Sequence, residues 1–321
     1  MKTAVVTGAS SFVGCHLARE FALKGWAATA TLSKPRDAYD GIQAERLKWI
    51  GESVSWRVLD LRDEKAVREF IAHLKPDLWI HHAGYAVNYG SLDYDLCAGR
   101  AVNVEPLACI YEELAKVGHS GVIVTGSSME YSDTDKACRE TDECKPTTPY
   151  GRSKLEETET AQELSKRHGV PTRVARLFIP FGPLDAPAKV LPYVVENLRN
   201  GNTVDLSPCT QRRDFLYVGD VVKAYGLLAD DLQRGAFEIF NVCSGEAVAV
   251  RSLIEMIADR LGAPHDLLGF GKRPMRPGEP PVSYGSCEKA QKTLGWHPGT
   301  LDEGVADFLR VEAGHAAGAR R

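Results

Sequence analysis

A chain of 321 residues, 44% of them hydrophobic, holds enough apolar material for one large domain or two smaller ones. Its 39 Lys and Arg stand against 43 Asp and Glu, a formal charge of −4, which leaves no basic field for a phosphate backbone and argues against a nucleic-acid partner. The longest apolar stretches, such as Val122-Ile123-Val124, fall far short of the roughly 18 residues that span a bilayer, so no membrane partner is expected.

In chain order, Met1-Lys2-Thr3-Ala4-Val5-Val6-Thr7-Gly8 enters a strand pattern directly, without an apolar leader or cleavage site, and a cytoplasmic location is the expectation. Short apolar runs then alternate with helix-period segments: strands are predicted over 3–7, 27–32, 54–59, 78–81, 121–125 and 172–177. This alternation predicts an α/β fold, a doubly wound parallel sheet of Rossmann type covered on both faces. Val13, Leu17 and Phe21 recur every four residues and mark a first helix that Gly25 stops; a second is predicted over 102–117, ending at Gly118. The third has Thr148 as cap and Pro149 in its first turn, and runs over 150–168 until Gly169 and Pro171 end it.

After Leu177 the pattern breaks at Pro180, Gly182, Pro183, Pro187 and Pro192, and a second proline cluster follows at Pro274, Pro277, Pro280 and Pro281. These are the marks of a smaller, irregular C-terminal lobe. A helix over 215–228 and a strand over 239–242 are predicted to rejoin the main sheet. The main domain then comprises 1–178 with 215–243, and the lobe 179–214 with 244–321. The Ala-, Gly- and Arg-rich tail over 313–321 is expected to fray. The cysteines (Cys15, Cys97, Cys109, Cys138, Cys144, Cys209, Cys243, Cys287) show no C-x-x-C pair and no metal-ligand spacing, and read as reduced, buried hydrophobes.

Thr7-Gly8-Ala9-Ser10-Ser11-Phe12-Val13-Gly14 joins the first strand to the first helix, where N–H groups at a helix N-terminus can receive a pyrophosphate. It resembles the T-G-x-x-G-x-x-G loop of the extended short-chain dehydrogenases, with Ser11 in place of the middle glycine; its Cβ would displace the cofactor outward or its hydroxyl would bond a phosphate. Cofactor choice is set at the end of the second strand, where a carboxylate bonds the ribose of NAD and a cation accepts the extra phosphate of NADP. Here Ser33-Lys34-Pro35-Arg36 precedes the first acid, Asp37, and favours NADP, with NAD as the alternative. The family resemblance further implies that Asp60-Leu61 meets the adenine and that Ala83-Gly84 lines the cofactor.

Tyr150-Gly151-Arg152-Ser153-Lys154 carries a Y-x-x-x-K, which eleven Tyr and sixteen Lys in this chain would produce roughly half a time by chance. Its context gives it weight: four-residue spacing puts both side chains on one helix face, and Thr125-Gly126-Ser127-Ser128 ends the strand before it. Together these resemble the catalytic Ser127, Tyr150 and Lys154 of the short-chain family, with Asn103 as its fourth member. A phenol near pKa 10 must fall by about three units to exchange protons near neutrality, about 4 kcal/mol, and an ammonium about 4 Å away supplies a similar amount at an effective dielectric of about 20. Tyr150 then exchanges the proton with the substrate oxygen, Lys154 lowers the phenol's pKa and, as the resemblance implies, bonds the nicotinamide ribose, and Ser127 stabilises the developing charge.

Arg212-Arg213-Asp214-Phe215 and Arg276-Pro277-Gly278-Glu279 resemble the segments whose arginines grip the diphosphate of a nucleotide sugar, and Leu294-Gly295-Trp296 the family's closing motif. The implied substrate is a nucleotide-diphosphate sugar met by Arg213, Arg276, Ser128 and Met129. A 4,6-dehydratase would carry Asp and Glu where Ser128 and Met129 stand. An NADP-dependent reductase of an NDP-4-keto-6-deoxyhexose suits the basic turn best; an NAD-dependent NDP-sugar 4-epimerase is the alternative, and a non-catalytic NADP-binding protein conflicts with the retained Tyr and Lys. Ile179 replaces an Asn that in many relatives contacts the nucleotide sugar. His81 and His82 read as packed histidines, with no metal expected. The resemblance also implies a homodimer formed through helices over 102–117 and 150–168.

Overall fold

The computed structural model describes residues 1–235, 237–276 and 278–318. Six strands come first: β1 (Thr3–Val6), β2 (Ala27–Leu32), β3 (Ser55–Val58), β4 (Leu78–His81), β5 (Gly121–Ser127) and β6 (Thr172–Leu177). The central strands are buried on both faces: β4 is buried along its whole length, and β6 is too, with its Arg173 and Arg176 paired to Asp231 and Glu130. β5 runs two residues beyond the predicted Thr125, which makes Ser127 its last residue. β1 pairs in parallel with β2 through Ala4↔Ala28 and with β4 through Ala4↔Leu78. The chain therefore leaves β1 in one direction and returns on its other side, opening a crevice at the strands' carboxyl ends.

Helices cover both faces, and several starts carry a side-chain cap. Ser11 caps α1 (Phe12–Leu23), α2 spans Gly41–Ile50, and Asp63 caps α3 (Glu64–Leu74). The single helix predicted over 102–117 is two: Asp95 caps α4 (Leu96–Asn103), and α5 (Pro106–Val117) restarts at Pro106, which has no N–H to continue the first. α6 (Pro149–His168) matches its sequence signals: Thr148 Oγ1 accepts from Gly151 N at 3.1 Å, and Gly169 ends it at φ 69°.

The lobe has its own small sheets. β7 (Ile179–Phe181) pairs with β10 (Phe215–Tyr217), β8 (Val204–Asp205) with β13 (Leu268–Gly269), and β9 (Arg212–Arg213) lies between β12 (Val248–Ala249) and β14 (Val282–Ser283). Phe181, Leu191, Val194, Leu253, Ile257 and Phe308 fill a separate core beneath α7 (Val190–Arg199), α9 (Val250–Leu261) and α11 (Leu301–Gly318). The helix predicted from Phe215 starts three residues later, as α8 (Val218–Asp231), because Phe215–Tyr217 pairs as a strand. β11 (Phe237–Val242) does rejoin the main sheet, in parallel beside β6, giving seven strands in the order β11-β6-β5-β4-β1-β2-β3. The tail expected to fray continues α11 to Gly318, a correction for 313–318; residues 319–321, like Pro277 of the second proline cluster, lie outside the described residues. Six cysteines are buried, Cys97 is exposed and Cys144 intermediate.

Candidate active site

The loop after β1 is a cradle that only glycine permits at two points. Gly8 adopts φ +70°, and a Cβ there would stand 2.7 Å from the Ala83 Cα; one on Gly14 would stand 2.2 Å from the Gly8 carbonyl oxygen. Ser11 needs no such freedom. It sits at φ −80° as the cap of α1, its Oγ accepting from Gly14 N at 3.1 Å and lying 2.9 Å from His82 Nε2. The hydroxyl is thus held by Gly14 and His82 at the start of α1. Thr7 Oγ1 accepts from His82 N and Ala83 N, both at 2.9 Å, and ties this loop to the one after β4. With the first-turn N–H groups of Phe12 and Val13 lacking helical partners, the close-packed glycines and a helix N-terminus fit a dinucleotide pyrophosphate.

Around this cradle the remaining cofactor candidates have local partners. Ser10 offers its carbonyl to Arg46 Nη1 at 3.1 Å. Ser33 Oγ lies 3.3 Å from Tyr39 OH, and Lys34 Nζ lies 4.5 Å from the centre of the Tyr39 ring. Arg36 stacks 4.5 Å above Trp56 and bonds Glu52 at 3.2 Å. The basic turn is therefore largely occupied by its neighbours. Asp60 is gripped by the Arg62 side chain, while Leu61 is buried; Gly84 packs near Asn103 Oδ1.

The catalytic candidates converge where α6 starts. A Cβ on Gly151 would meet the Met129 carbonyl oxygen at 2.2 Å, so α6 presses directly on the turn of Ser128, Met129 and Glu130 after β5. Tyr150, the residue before Gly151, therefore starts α6 next to the turn that follows Ser127. Ser127 and Glu130 form a capping box, Ser127 N donating to Glu130 Oε1 at 2.7 Å and Ser127 Oγ accepting from Met129 N. The Tyr150 ring is flanked edge-on by Tyr89 at 5.6 Å and Tyr94 at 5.5 Å. Asn103 is wholly buried: Oδ1 accepts from Tyr85 N at 2.7 Å and Nδ2 donates to Ser153 Oγ at 2.9 Å. It thus ties the Tyr85 loop to α6.

Lys154 holds a surprise for the pKa argument. Its ammonium is buried and hydrogen-bonded to Glu157 on the next turn of the same helix. Burial raises the Tyr150 phenol above its ordinary value, Lys154 pulling it down and Glu157 pushing it back up. Lys154 thus acts on the phenol in the expected direction, but burial, with Glu157, outweighs it and the net shift is upward.

Glu130, Arg46 and Glu157 were not marked by any sequence motif, and Asp214 stood in the 212–215 segment without a role. Buried Glu130 also accepts from Arg176 Nε at 2.7 Å and from Thr158 Oγ1 at 3.0 Å, bracing the turn under Ser127. Arg46 Nε reaches the Leu184 carbonyl at 2.9 Å, so one guanidinium joins the glycine loop to the lobe. In the lobe, Asp214 accepts from Ser244 N, Gly245 N and Gly285 N, fixing the strand that carries Arg213. Arg213 bonds Glu279 at 2.8 Å. Arg276 is exposed and reaches toward Gly90 of the loop that carries Tyr89. Ile179, 37% exposed, offers no hydrogen bond from its side chain. No cluster of His, Cys, Asp or Glu able to hold a metal occurs among the described residues.

Residues 4–243 match the NAD dependent epimerase/dehydratase family. The chain belongs to that family. Among curated relatives of this family member, UDP-glucose 4-epimerase 2 of Arabidopsis thaliana is 26% identical over 327 residues, covering 92% of this chain and 90% of the relative. Among solved structures, UDP-glucose 4-epimerase of Thermotoga maritima with UDP-glucose superposes with a TM-score of 0.85 at 21% identity, covering 98% of this chain and 100% of the other. MoeE5 in complex with UDP-glucuronic acid and NAD gives a TM-score of 0.80 at 25% identity, covering 96% and 98%. The family places this chain among NAD(P)-dependent enzymes on a Rossmann-type sheet. No helix among the described residues is long and apolar enough to cross a membrane.

Proposed function

We propose that the protein is an NAD-dependent 4-epimerase of a nucleotide-diphosphate hexose. The observation that carries this reading is the seating of α6, which bears Tyr150 and Lys154, on the turn that follows Ser127 at the end of β5. Relatives named as UDP-glucose 4-epimerases over nearly the full chain support it. Ser128 and Met129 supply no acid–base pair for dehydration. A second reading, an NADPH-dependent 4-ketoreductase, is favoured by one feature: the four residues directly after β2 carry no carboxylate, the first acid being Asp37. The stacking of Lys34 and Arg36 on Tyr39 and Trp56 weighs against it, because those cations already have partners.

In this reading Gly8, Ser10, Phe12, Val13 and Gly14 hold the pyrophosphate, Ser33 and Asp60 stand near the adenosine, and Ala83, Gly84 and Lys154 hold the nicotinamide half. When bound, the nicotinamide supplies the hydride acceptor and donor. Tyr150 takes the proton of the sugar 4-hydroxyl and later returns one to the 4-keto oxygen, while Ser127 hydrogen-bonds that oxygen. Arg213 and Arg276 hold the diphosphate, for which Arg213 exchanges Glu279 for the substrate. The lobe over 179–214 and 244–321 closes the site. A homodimer through α5 and α6 would join charged faces bearing Glu105, Lys116, Arg152, Glu159 and Glu163, so its association should weaken in high salt.

Purified protein incubated with UDP-hexoses, or with NDP-4-keto-6-deoxysugars and NADPH or NADH, decides between the readings. Interconversion of 4-epimers with no net consumption of nicotinamide supports the epimerase. Stoichiometric NADPH oxidation by the keto sugar would replace it with the reductase. Tyr150→Phe should lower turnover about 10²- to 10⁴-fold while leaving cofactor binding intact, and unchanged turnover would overturn both.

A further inference from the structure

Lys154 and Glu157 lie three residues apart on the inward face of α6, with side chains 8% and 1% exposed. One carboxyl oxygen of Glu157 accepts from the Lys154 ammonium. The other points toward the imidazole of His81 at the end of β4, 3.7 Å from Nε2, too far for a hydrogen bond. That oxygen and both His81 ring nitrogens have no hydrogen-bond partner among the described residues. The carboxylate has one strong polar contact, Lys154, and the lysine that faces Tyr150 one turn earlier carries its own counter-ion.

We propose that Glu157 is a positioning residue that holds Lys154 and offsets its charge, so that this carboxyl, together with the lysine, decides how readily Tyr150 gives up its proton. The inference rests on the catalytic roles given above to Tyr150 and Lys154. A compensated ammonium acts on the phenol as part of a dipole rather than as a full charge, and a dipole's field falls off more steeply with distance.

The other groups facing Glu157 do not take over this role. From β4 and its end, His81 and His82 are pushed down to about 3, by burial first and then by Lys154, and carry no charge near neutrality. From the turn after β5, Glu130 is paired with Arg176. From α5, Tyr111 lies against Thr172, and from α8, Tyr225 against Thr125, while Tyr94 ahead of α4 donates to the Tyr85 carbonyl. Lys154 is the cation among them. Burial pushes Glu157 up to about 7 against the pull of Lys154, so the carboxyl takes up a proton as pH falls through neutrality. Once it is neutral, the full ammonium charge bears on Tyr150 and makes the phenol more acidic.

The test is an ultraviolet difference titration of tyrosinate in the unmodified full-length protein and in Glu157→Gln, each measured against the same protein carrying Tyr150→Phe so that one phenol is read. The Tyr150 titration should move to lower pH by about one unit or more in Glu157→Gln. Glu157→Met, which removes the same charge without an amide, should give the same direction and serves if the glutamine variant does not fold. An unchanged midpoint in whichever variant folds would overturn the proposal, since a purely structural glutamate alters stability and leaves the phenol's titration alone. The readout needs no turnover. Loss of the epimerase reading through an active Tyr150→Phe protein is therefore told apart from loss of this inference.

Discussion

At the scale of single residues, the glycine loop shows which positions tolerate a side chain and why. Gly8→Ala would place a Cβ 2.7 Å from the Ala83 backbone at a positive φ, and should lower stability by about 2 kcal/mol while weakening cofactor affinity, measured by urea denaturation and by titration with NAD. Ser11→Gly keeps the loop's path and costs a few tenths of a kcal/mol for the lost cap, plus about 1 kcal/mol for the His82 nitrogen left without Ser11. The same denaturation series separates the two substitutions. The positions of both glycines were legible in the sequence, because their spacing after a leading strand has a mechanism. The reason Ser11 can replace a third was not: its hydroxyl is engaged by His82, which is 71 positions away.

At the scale of elements, α6 was the most legible part of the chain, since a cap, a proline in the first turn and a terminal glycine all agree. Thr148→Ala should cost about 1 kcal/mol and loosen the start of the helix that carries Tyr150, read as a lower urea midpoint. The turn opposite it depends on a buried ion pair. Glu130→Ala removes the partner of Arg176 and leaves a guanidinium 3% exposed without its carboxylate, for an expected loss of about 3–5 kcal/mol by the same assay. The helix over 102–117 was misread because its periodicity continues through Pro106, and periodicity alone does not report a missing N–H. The strand start at Phe215 was missed for a related reason: three residues pair with Ile179–Phe181, a partner that local pattern does not reveal.

At the scale of the whole molecule, two features tie the lobe to the cofactor cradle. Arg46 bridges Ser10 and Leu184, and His16 Nε2 lies 2.9 Å from the Pro183 carbonyl, so the start of the lobe is anchored under the glycine loop. The buried His81 makes stability depend on pH. Its pKa is depressed to about 3, chiefly by burial, so its contribution is present above the unfolded value near 6.5 and is lost as pH falls toward 3. Between pH 7 and pH 5 this amounts to about 2 kcal/mol. His81→Leu should flatten the decline by that amount, seen by comparing urea midpoints of both proteins at the two pH values.

The sequence by itself determined the sheet's class, the glycine cradle, the Y-x-x-x-K helix and the family they resemble, because each is written in local spacing that chain geometry converts directly into structure. Only the tertiary structure decided the charge environment of Tyr150 and Lys154. Glu157 is one more acid on an acidic helix until α6 docks on the sheet; burial against β4 then leaves it Lys154 as its only charged partner among the described residues and changes what that lysine can do for Tyr150. Long-range burial, which no local window of residues contains, is the physical reason.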